Sequence, residues 1–465
     1  MTLTSYLKIS CGTAMALGAI AIAAPASAAP SCMPKVEGPV AITATSKPYE
    51  PSSNPYAGGA PPAGEKEEEF FVSCDVAAGH YKTVIHVTLP ADPAKQSGVV
   101  IAEPWHPSDF WTVYDKARNY YTRTGLVSVA IVATNPVLQN FLVKAEPERY
   151  AGLSLPGAAG RGAGGVPPDT TQSEVLGQVG ALIKSGGLPG INARKVILGG
   201  MSTTGAVTRA YIAYEHATPG AKSVFDGYFP EQSALNGYTT PLPDIDVPIV
   251  ELQGERELIV MFERGEPNLK YLRADGPNYR LYEVASMSHI ATRMATQADG
   301  PVTAVRIEPG KPECTGHPWT DFPTDMVYGA ALDNLVQWVD KGVPAPHVPR
   351  IQTSADNRTI RRDTYGNAMG GWRTSYLEVP TATYHGTWGS YTTTPTGPSD
   401  AVVADCEMIG WAEPLSRTTL KNLYPSHRDY VAKVDKSTAS LVGQHMLLPA
   451  DAATLHAEAE KANIP

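Results

Sequence analysis

The chain has 465 residues, and its 46 acidic side chains outnumber the 37 Lys and Arg to give a net charge of −9. This length allows two or three domains of ordinary size, or one enzyme domain with insertions. No block of Lys or Arg runs along the sequence. Because proteins that bind the phosphate backbone need such a basic surface, we expect no nucleic-acid partner.

The first 28 residues have the pattern of a secretory signal peptide. Lys8 precedes a run of small and aliphatic side chains that ends in Ala26-Ser27-Ala28, a typical cleavage site. The run is too short, and Pro30 follows too closely, for a membrane-spanning helix. We therefore expect residues 1–28 to be removed, and the mature chain to be secreted or periplasmic without a membrane span.

Five cysteines are present, and Cys11 lies in the predicted leader. In an oxidising compartment the other four predict two disulfides, with three possible pairings. We favour Cys32 with Cys74 and Cys314 with Cys406, because each bond would join an irregular segment to a more regular one. A zinc site is the alternative, but no Cys-x-x-Cys pair or close His/Cys cluster supports it.

The predicted elements begin with an extended arm at residues 29–66, which are rich in Pro, Gly, Ser and Ala. After the arm, β-branched runs predict strands and helical spacing predicts helices. The strands are predicted at 69–76, 81–89, 98–103, 125–134, 195–200, 247–254 and 279–285. The helices are predicted at 109–124, 171–185 and 325–341. Such alternation indicates an α/β fold with a mostly parallel central sheet flanked by helices.

The last portion of the chain, residues 350–465, is first rich in Thr, Tyr, Gly and Pro and then helical. The final helices are predicted near 415–423, 427–441 and 451–462. Because the portion lacks strong periodicity before these helices, we predict a C-terminal extension wrapped on the core. A separate domain is the alternative. The mature chain, residues 29–465, is then a single domain.

Ser202 lies in "VILGGMSTTGAVTRAYIAYEH" (196–216), between a buried strand and a helix. A nucleophilic serine needs such a turn, where small neighbours accommodate a strained backbone. The glycine pair before it and Gly205 after it meet this need. The common pattern G-x-S-x-G fails, however, because Thr204 stands two positions after the serine. The alternative is that Ser202 only caps the helix.

An acid and a histidine follow Ser202 in the order Ser, acid, His that α/β-hydrolases use. Glu255 and Glu257 come after "VPIVELQG". We favour Glu257, the third residue after the glycine, and Glu255 stays possible. His289 follows the strand "YRLYEVA" among small and polar residues. In this arrangement Ser202 attacks an acyl carbon, His289 takes its proton and Glu257 orients the imidazole.

Two backbone N–H groups are predicted to bind the oxyanion. One belongs to Thr203, directly after the serine, and the second comes from the loop after Glu103. In "AEPWHPSDFW" the two prolines have no N–H, so Trp105 or His106 must supply it, and we favour Trp105. The aromatic side chains of this loop either form a substrate pocket or simply pack.

Several segments resemble the secreted, mostly bacterial alpha/beta hydrolase domain-containing proteins, over nearly the whole mature chain. They are "GVVIAEPWHP", "EPERYAGL", "GGMSTTG", "VPIVELQGERE", "YEVASMSH", "AALDNLVQWVDKGVPAP", "RRDTYGNAMGGWRTSYLEVPTATYHG" and "LYPSHRDYVAKV". Thr203 stands where members more often have Gln. The resemblance implies an α/β-hydrolase fold that includes the residues after Pro349, and hydrolysis of carboxylic esters.

The leading hypothesis is thus a secreted serine esterase acting on a small-molecule or polymeric ester, with no cofactor and no metal. A second hypothesis is a hydrolase of another acyl bond, in an amide, lactone or polyester. A third is a non-catalytic binding protein on the same scaffold. The ordered set of Ser202, Glu257 and His289 argues against the third. Nothing in the sequence indicates an oligomeric state.

Overall fold

The computed structural model describes residues 32–49, 63–107, 113–157, 170–217, 220–234, 241–263, 272–290, 294–297, 300–302, 320–387, 408 and 410–465. The predicted leader lies outside these residues. So do Cys314 and Cys406, and their predicted pairing stays a prediction.

A nine-stranded sheet forms the centre of the described part of the chain. Its strands are β1 (Lys35–Glu37), β2 (Glu65–Val76), β3 (Gly79–Pro90), β4 (Val99–Pro104), β5 (Val127–Ile131), β6 (Lys195–Met201), β7 (Gly227–Glu231), β8 (Ile249–Gly254) and β9 (Tyr279–Val284). Their order in space is β1-β2-β3-β5-β4-β6-β7-β8-β9. The pairs from β5 to β9 are parallel and the pairs from β1 to β5 are antiparallel. The predicted mostly parallel sheet is confirmed.

Helices flank this sheet, as the alternating pattern predicts. They are α1 (Val113–Thr124), α2 (Asn135–Val137), α3 (Pro147–Tyr150), α4 (Thr170–Lys184), α5 (Thr203–Glu215), α6 (Glu255–Glu263), α7 (Thr324–Lys341), α8 (Ser375–Glu378), α9 (Arg417–Leu423), α10 (His427–Gly443) and α11 (Pro449–Lys461). A 3₁₀ turn (Pro93–Lys95), a π-helical turn (Leu138–Val143) and the short hairpins β10–β11 (Met294–Gln297, Gly300–Val302) and β12–β13 (Ala382–His385, Trp411–Pro414) complete the described elements. None of the described helices combines the length and apolar content needed to cross a bilayer.

Two strands of the sheet have no counterpart among the predicted strands: the short β1, which lies in the predicted arm, and β7. The sequence of β7, Gly-Tyr-Phe-Pro-Glu, contains a glycine and a proline, which are rare in central strands. The strand forms because it is buried between β6 and β8, where tertiary packing outweighs local propensity. This strand brings Glu231 and the residues after it to the edge of the sheet where Ser202 lies.

Residues of the C-terminal portion pack on the outer edge of β9. Trp372 donates its backbone N–H to Glu283 O at 2.7 Å and accepts from Ala285 N at 3.0 Å, and its side chain is fully buried. Arg350 donates through Nη1 to Leu281 O at 2.9 Å. These bonds satisfy backbone groups of β9. These contacts join the C-terminal portion to the main sheet, and its assignment to one domain with the core stays a prediction.

The predicted disulfide between Cys32 and Cys74 is confirmed and joins the N-terminal arm to β2. Arg149 holds the same arm, donating through Nη1 to Ala41 O at 3.0 Å and to Ser46 Oγ at 3.0 Å. Its Nε donates to the buried carboxylate of Glu69 at 2.6 Å. The arm at 32–49 is therefore fixed on the sheet by one covalent bond and a buried cation.

Replacement of Cys32 and Cys74 by alanine is expected to lower the free energy of unfolding by about 2–4 kcal/mol. The reason is that the bond closes a loop with a sequence separation of 42 residues, which restricts the unfolded chain. Urea unfolding of the wild type and of the double variant under oxidising conditions measures this difference. Equal midpoints and slopes would show that the bond contributes nothing to stability.

Candidate active site

Ser202 lies on the sharp turn between β6 and α5. Its φ of 56° and ψ of −121° fall outside both the helical and the extended regions, a strained conformation for a residue with a side chain. The Ser202 side chain makes no capping hydrogen bond to α5, while its backbone N–H donates to Glu231 O at 2.9 Å. The residue is half-buried. The geometry thus disfavours the alternative of a simple helix cap.

Glycines on both sides of this turn make it sterically possible. A Cβ at Gly205 would lie 2.4 Å from Glu231 O, and one at Gly200 would lie 2.4 Å from Thr204 O. Neither contact is tolerated by a side chain. Thr204, which breaks the common pattern, is buried and bonds through Oγ1 with Met201 O at 2.9 Å. The glycine needed after the serine therefore stands at the third position instead of the second.

His289 and Glu257 form a buried pair. Their Nδ1 and Oε1 atoms lie 2.6 Å apart, and both residues are at most 3% exposed. The other carboxylate oxygen of Glu257 accepts from Gly254 N at 2.8 Å. With Nδ1–H directed at the carboxylate, Nε2 of the imidazole is the nitrogen left to accept a proton.

Glu255, the other candidate acid, has different partners. One of its oxygens accepts from Ser286 N at 2.8 Å and the other from Arg362 Nη2 at 2.6 Å. The bond with Arg362 joins the start of α6 to the C-terminal extension. Of the two carboxylates weighed from the sequence, the structure places Glu257 against His289.

The electrostatics of the pair fit a neutral base beside an ionised acid. Burial lowers the pKa of His289 below its usual 6.5, although the Glu257 carboxylate opposes this shift. Burial alone would raise the pKa of Glu257, but the hydrogen bond and charge of His289 outweigh it and hold that pKa below its usual value. At neutral pH the imidazole is therefore uncharged and able to take up a proton.

The three predicted residues follow three parallel strands at one edge of the sheet. Ser202 comes after β6, Glu257 after β8 and His289 after β9. The carboxyl ends of parallel strands meet at the same edge, which is where α/β sheets bind ligands.

The structure corrects the prediction for Trp105 in the oxyanion site. Its backbone N–H donates to Ile131 O at 2.8 Å, which continues the β4–β5 ladder. The residue is 2% exposed. The centroid of its ring lies 6.1 Å from that of Tyr49 and 5.5 Å from that of His86. Trp105 is therefore a packing residue. Thr203 is the first residue of α5, and its role as an oxyanion donor stays a prediction.

His106, the other candidate weighed for the second oxyanion donor, lies in a buried position. Its side chain is 5% exposed. Burial lowers the pKa of His106 to about 3, and the nearby His289 and Lys116 charges act in the same direction. The imidazole of His106 therefore stays neutral across the physiological range.

Three buried residues near this edge of the sheet escaped the sequence analysis: Lys116, Glu231 and Gln232. They are 1%, 0% and 0% exposed. Burial raises the pKa of Glu231 well above its usual range, opposed by Lys116 and assisted by Glu103. The available signal is "FPEQS", in which two polar residues directly follow an apolar run. Lys116 gives no comparable signal, because a lysine on an amphipathic helix normally lies in solvent.

Residues 52–457 match the family model for the alpha/beta hydrolase domain, and the chain belongs to that family. The fold and the turn at Ser202 are those of this class. No curated protein matches the sequence.

The solved structures that match this chain include hydrolases and esterases. XC6422 from Xanthomonas campestris, a serine hydrolase without a lid, is 14% identical over 48% of this chain and 85% of its own, with a TM-score of 0.26. Dienelactone hydrolase from Anabaena variabilis is 15% identical over 47% and 85%, with a TM-score of 0.28. Esterase Est22 with p-nitrophenol is 13% identical over 42% and 65%, with a TM-score of 0.28. Sequence identities and TM-scores this low do not establish an activity or a substrate for this chain.

Proposed function

We propose that this protein is an exported serine hydrolase that cleaves carboxylic esters through an acyl-enzyme. Ser202 is the nucleophile, His289 the general base and Glu257 the acid that orients it. The observation that carries the proposal is the strained turn at Ser202, at the same sheet edge as the buried Glu257–His289 pair. Residues 29–465 act as one domain, and the leader at 1–28 is removed on export.

The chemistry follows from this arrangement. Ser202 Oγ bonds to the acyl carbon while its proton passes to His289 Nε2. The bond from the acyl carbon to the alcohol oxygen then breaks, and the alcohol leaves with that proton. Water attacks the acyl-enzyme in the same way, with His289 again taking the proton and returning it to Ser202. The backbone N–H of Thr203 and a second donor, His106 N–H in place of Trp105, stabilise the oxyanion.

Export is supported by the Cys32–Cys74 disulfide, since such bonds persist in oxidising compartments. Two measurements decide this part of the proposal. The amino-terminal sequence of the protein recovered outside the cytoplasm is expected to begin at residue 29, and the cytoplasmic fraction is expected to hold only precursor. Recovery of the full-length chain from the cytoplasm alone would contradict export.

The reaction class is tested with the purified mature protein. A fluorophosphonate probe, which reacts with activated serines, is expected to label it, and p-nitrophenyl esters of increasing acyl length are expected to be hydrolysed. The matched p-nitroanilides, which replace the ester with an amide, are expected to be cleaved far more slowly. Labelling with faster anilide cleavage would indicate an amidase, and no labelling at all would indicate a binding protein.

The pH dependence of kcat/KM gives a separate check on His289. The imidazole must be uncharged to accept the Ser202 proton, so activity falls as pH drops through its pKa. Because burial lowers that pKa, the midpoint of the acidic limb is expected below the usual 6.5. Measurement of ester hydrolysis in a pH-stat avoids the titration of p-nitrophenol. A midpoint above 7 would be inconsistent with His289 as the base.

A further inference from the structure

A buried polar cluster contacts the Glu257–His289 pair. It consists of Lys116, Gln232 and Tyr328. Lys116 Nζ donates to Gln232 Oε1 at 2.7 Å, to His289 O at 3.0 Å and to Tyr328 OH at 3.3 Å. An ammonium group has three N–H donors, and these acceptors match all three. This complete set of bonds is what permits a cation in a buried position.

Gln232 connects this lysine to the acid. Its Nε2 donates to Glu257 Oε2 at 3.3 Å and to Ser288 O at 2.9 Å. A side-chain amide has one oxygen and one nitrogen, so the cation on its oxygen forces the nitrogen toward Glu257. The backbone of Gln232 has a φ of 40°, a strained value that the close packing around it maintains.

The position of Lys116 is fixed from the other side by the start of its helix. The carboxylate of Glu103, at the end of β4, accepts from Val113 N at 2.9 Å and from Tyr114 N at 3.1 Å. Such bonds satisfy N–H groups that α1 itself leaves without an acceptor. Lys116 follows in the same helical turn, so its ammonium is held between the sheet and the loop that carries His289.

We propose that Lys116 is a positioning residue of this site, which holds the backbone of the His289 loop directly and the second oxygen of Glu257 through Gln232. This inference rests on the proposed function. Lys116 does not touch the substrate. It keeps the imidazole in the orientation that proton transfer from Ser202 requires, because it bonds to the backbone of His289 directly and to Glu257 through Gln232.

The charge of Lys116 provides a signature that a purely steric role would lack. Among the described residues, the charged and titratable groups facing Lys116 and His289 include Glu231 on β7, Glu257 and Arg256 on α6, Tyr328 on α7 and His106 after β4. Burial lowers the pKa of Lys116 to about 7, against the opposing effect of Glu231 and Glu257. Lys116 is therefore a cation over the pH range in which His289 gains its proton, and it lowers the pKa of His289.

The first test uses the resting enzyme and needs no turnover. The proton between His289 Nδ1 and Glu257 gives a far-downfield ¹H NMR signal, which is assigned by its loss in His289→Gln. Its titration midpoint is expected at higher pH in Lys116→Met than in the wild type, and near the wild-type value in Lys116→Arg. Arg123→Met, which removes a cation from the far end of the same helix, is the control and leaves the midpoint unchanged. An unchanged midpoint in Lys116→Met would overturn the proposal.

The second test is kinetic. Lys116→Met and Gln232→Leu are each expected to lower kcat for ester hydrolysis by about 10²-fold with little change in KM, as for a displaced catalytic group. The double variant is expected to have a kcat no lower than that of the less active single variant, since both substitutions break one chain of contacts. Wild-type kcat in Lys116→Met, or fully additive losses, would refute the role. If Lys116→Met does not fold, Lys116→Gln removes the charge while keeping a donor.

The two proposals fail in different ways. A wild type that hydrolyses no ester and takes no fluorophosphonate label overturns the proposed function, while the NMR titration still decides the role of Lys116. An active wild type whose Lys116→Met variant keeps either the wild-type kcat or the wild-type titration midpoint overturns only the role of Lys116.

Discussion

Replacement of Ser202 by alanine is expected to lower kcat for ester hydrolysis by about 10⁶-fold, the loss seen when a triad nucleophile is removed. Fluorophosphonate labelling is expected to disappear with it. The thermal midpoint is expected to stay the same, because the Ser202 side chain makes no capping bond and alanine meets the same backbone strain at a φ of 56°. Rate, label and melting curve are measured on one preparation.

The matched control for this variant is Ser440→Ala, which removes an exposed hydroxyl from α10. It is expected to keep both the label and the hydrolytic rate. Retention of the label by Ser202→Ala would show that another residue reacts, and the proposed nucleophile would then be wrong. A loss of rate accompanied by a large fall in the melting temperature would point to a structural role of the turn.

Replacement of Glu257 by glutamine is expected to lower kcat by about 10⁴-fold, as loss of the orienting carboxylate does in other triads. Glutamine is close in size, so the fold is expected to persist. The amide cannot stabilise the imidazolium that forms when His289 takes the serine proton, and its NH₂ end permits the wrong tautomer. KM for a short p-nitrophenyl ester is expected to change little, which places the loss in the chemical step.

Glu255→Gln is the matched control for this prediction, two residues away and equally buried. The substitution removes the charge that pairs with Arg362, whose Nη2 lies 2.6 Å from Glu255 Oε1. We therefore expect a lower melting temperature. Its kcat is expected to stay close to that of the wild type, because Glu255 does not contact His289. If Glu255→Gln lost activity and Glu257→Gln kept it, the assignment of the acid would have to be reversed.

The sequence predicted the sheet well because its signal is local. Buried strands such as β5 and β6 are short, mostly apolar runs, and the helices between the strands show their own spacing. The preference for Glu257 over Glu255 also had a local basis, the distance from the glycine that opens the turn. The structure places Glu257 against His289, while its catalytic role stays a prediction.

What the sequence could not predict depends on contacts between distant residues. The N–H of Trp105 is used by Ile131, and this follows from the register of β4 and β5, which no single segment specifies. β7 is a strand because of its neighbours in space. Lys116 is buried because acceptors from three other parts of the chain surround it. In each case tertiary structure outweighs the local pattern.

The contacts that Arg350 and Trp372 make with β9 bear on how one edge of the main sheet is covered. An edge strand with open N–H and C=O groups is a template on which another chain can add a strand, the first step toward aggregation. At one side of the main sheet these two residues donate to Leu281 O and Glu283 O, two outer backbone acceptors of β9. At the other side the sheet ends in β1, which has only three residues. The extension thus protects the strand that leads to His289 from intermolecular pairing.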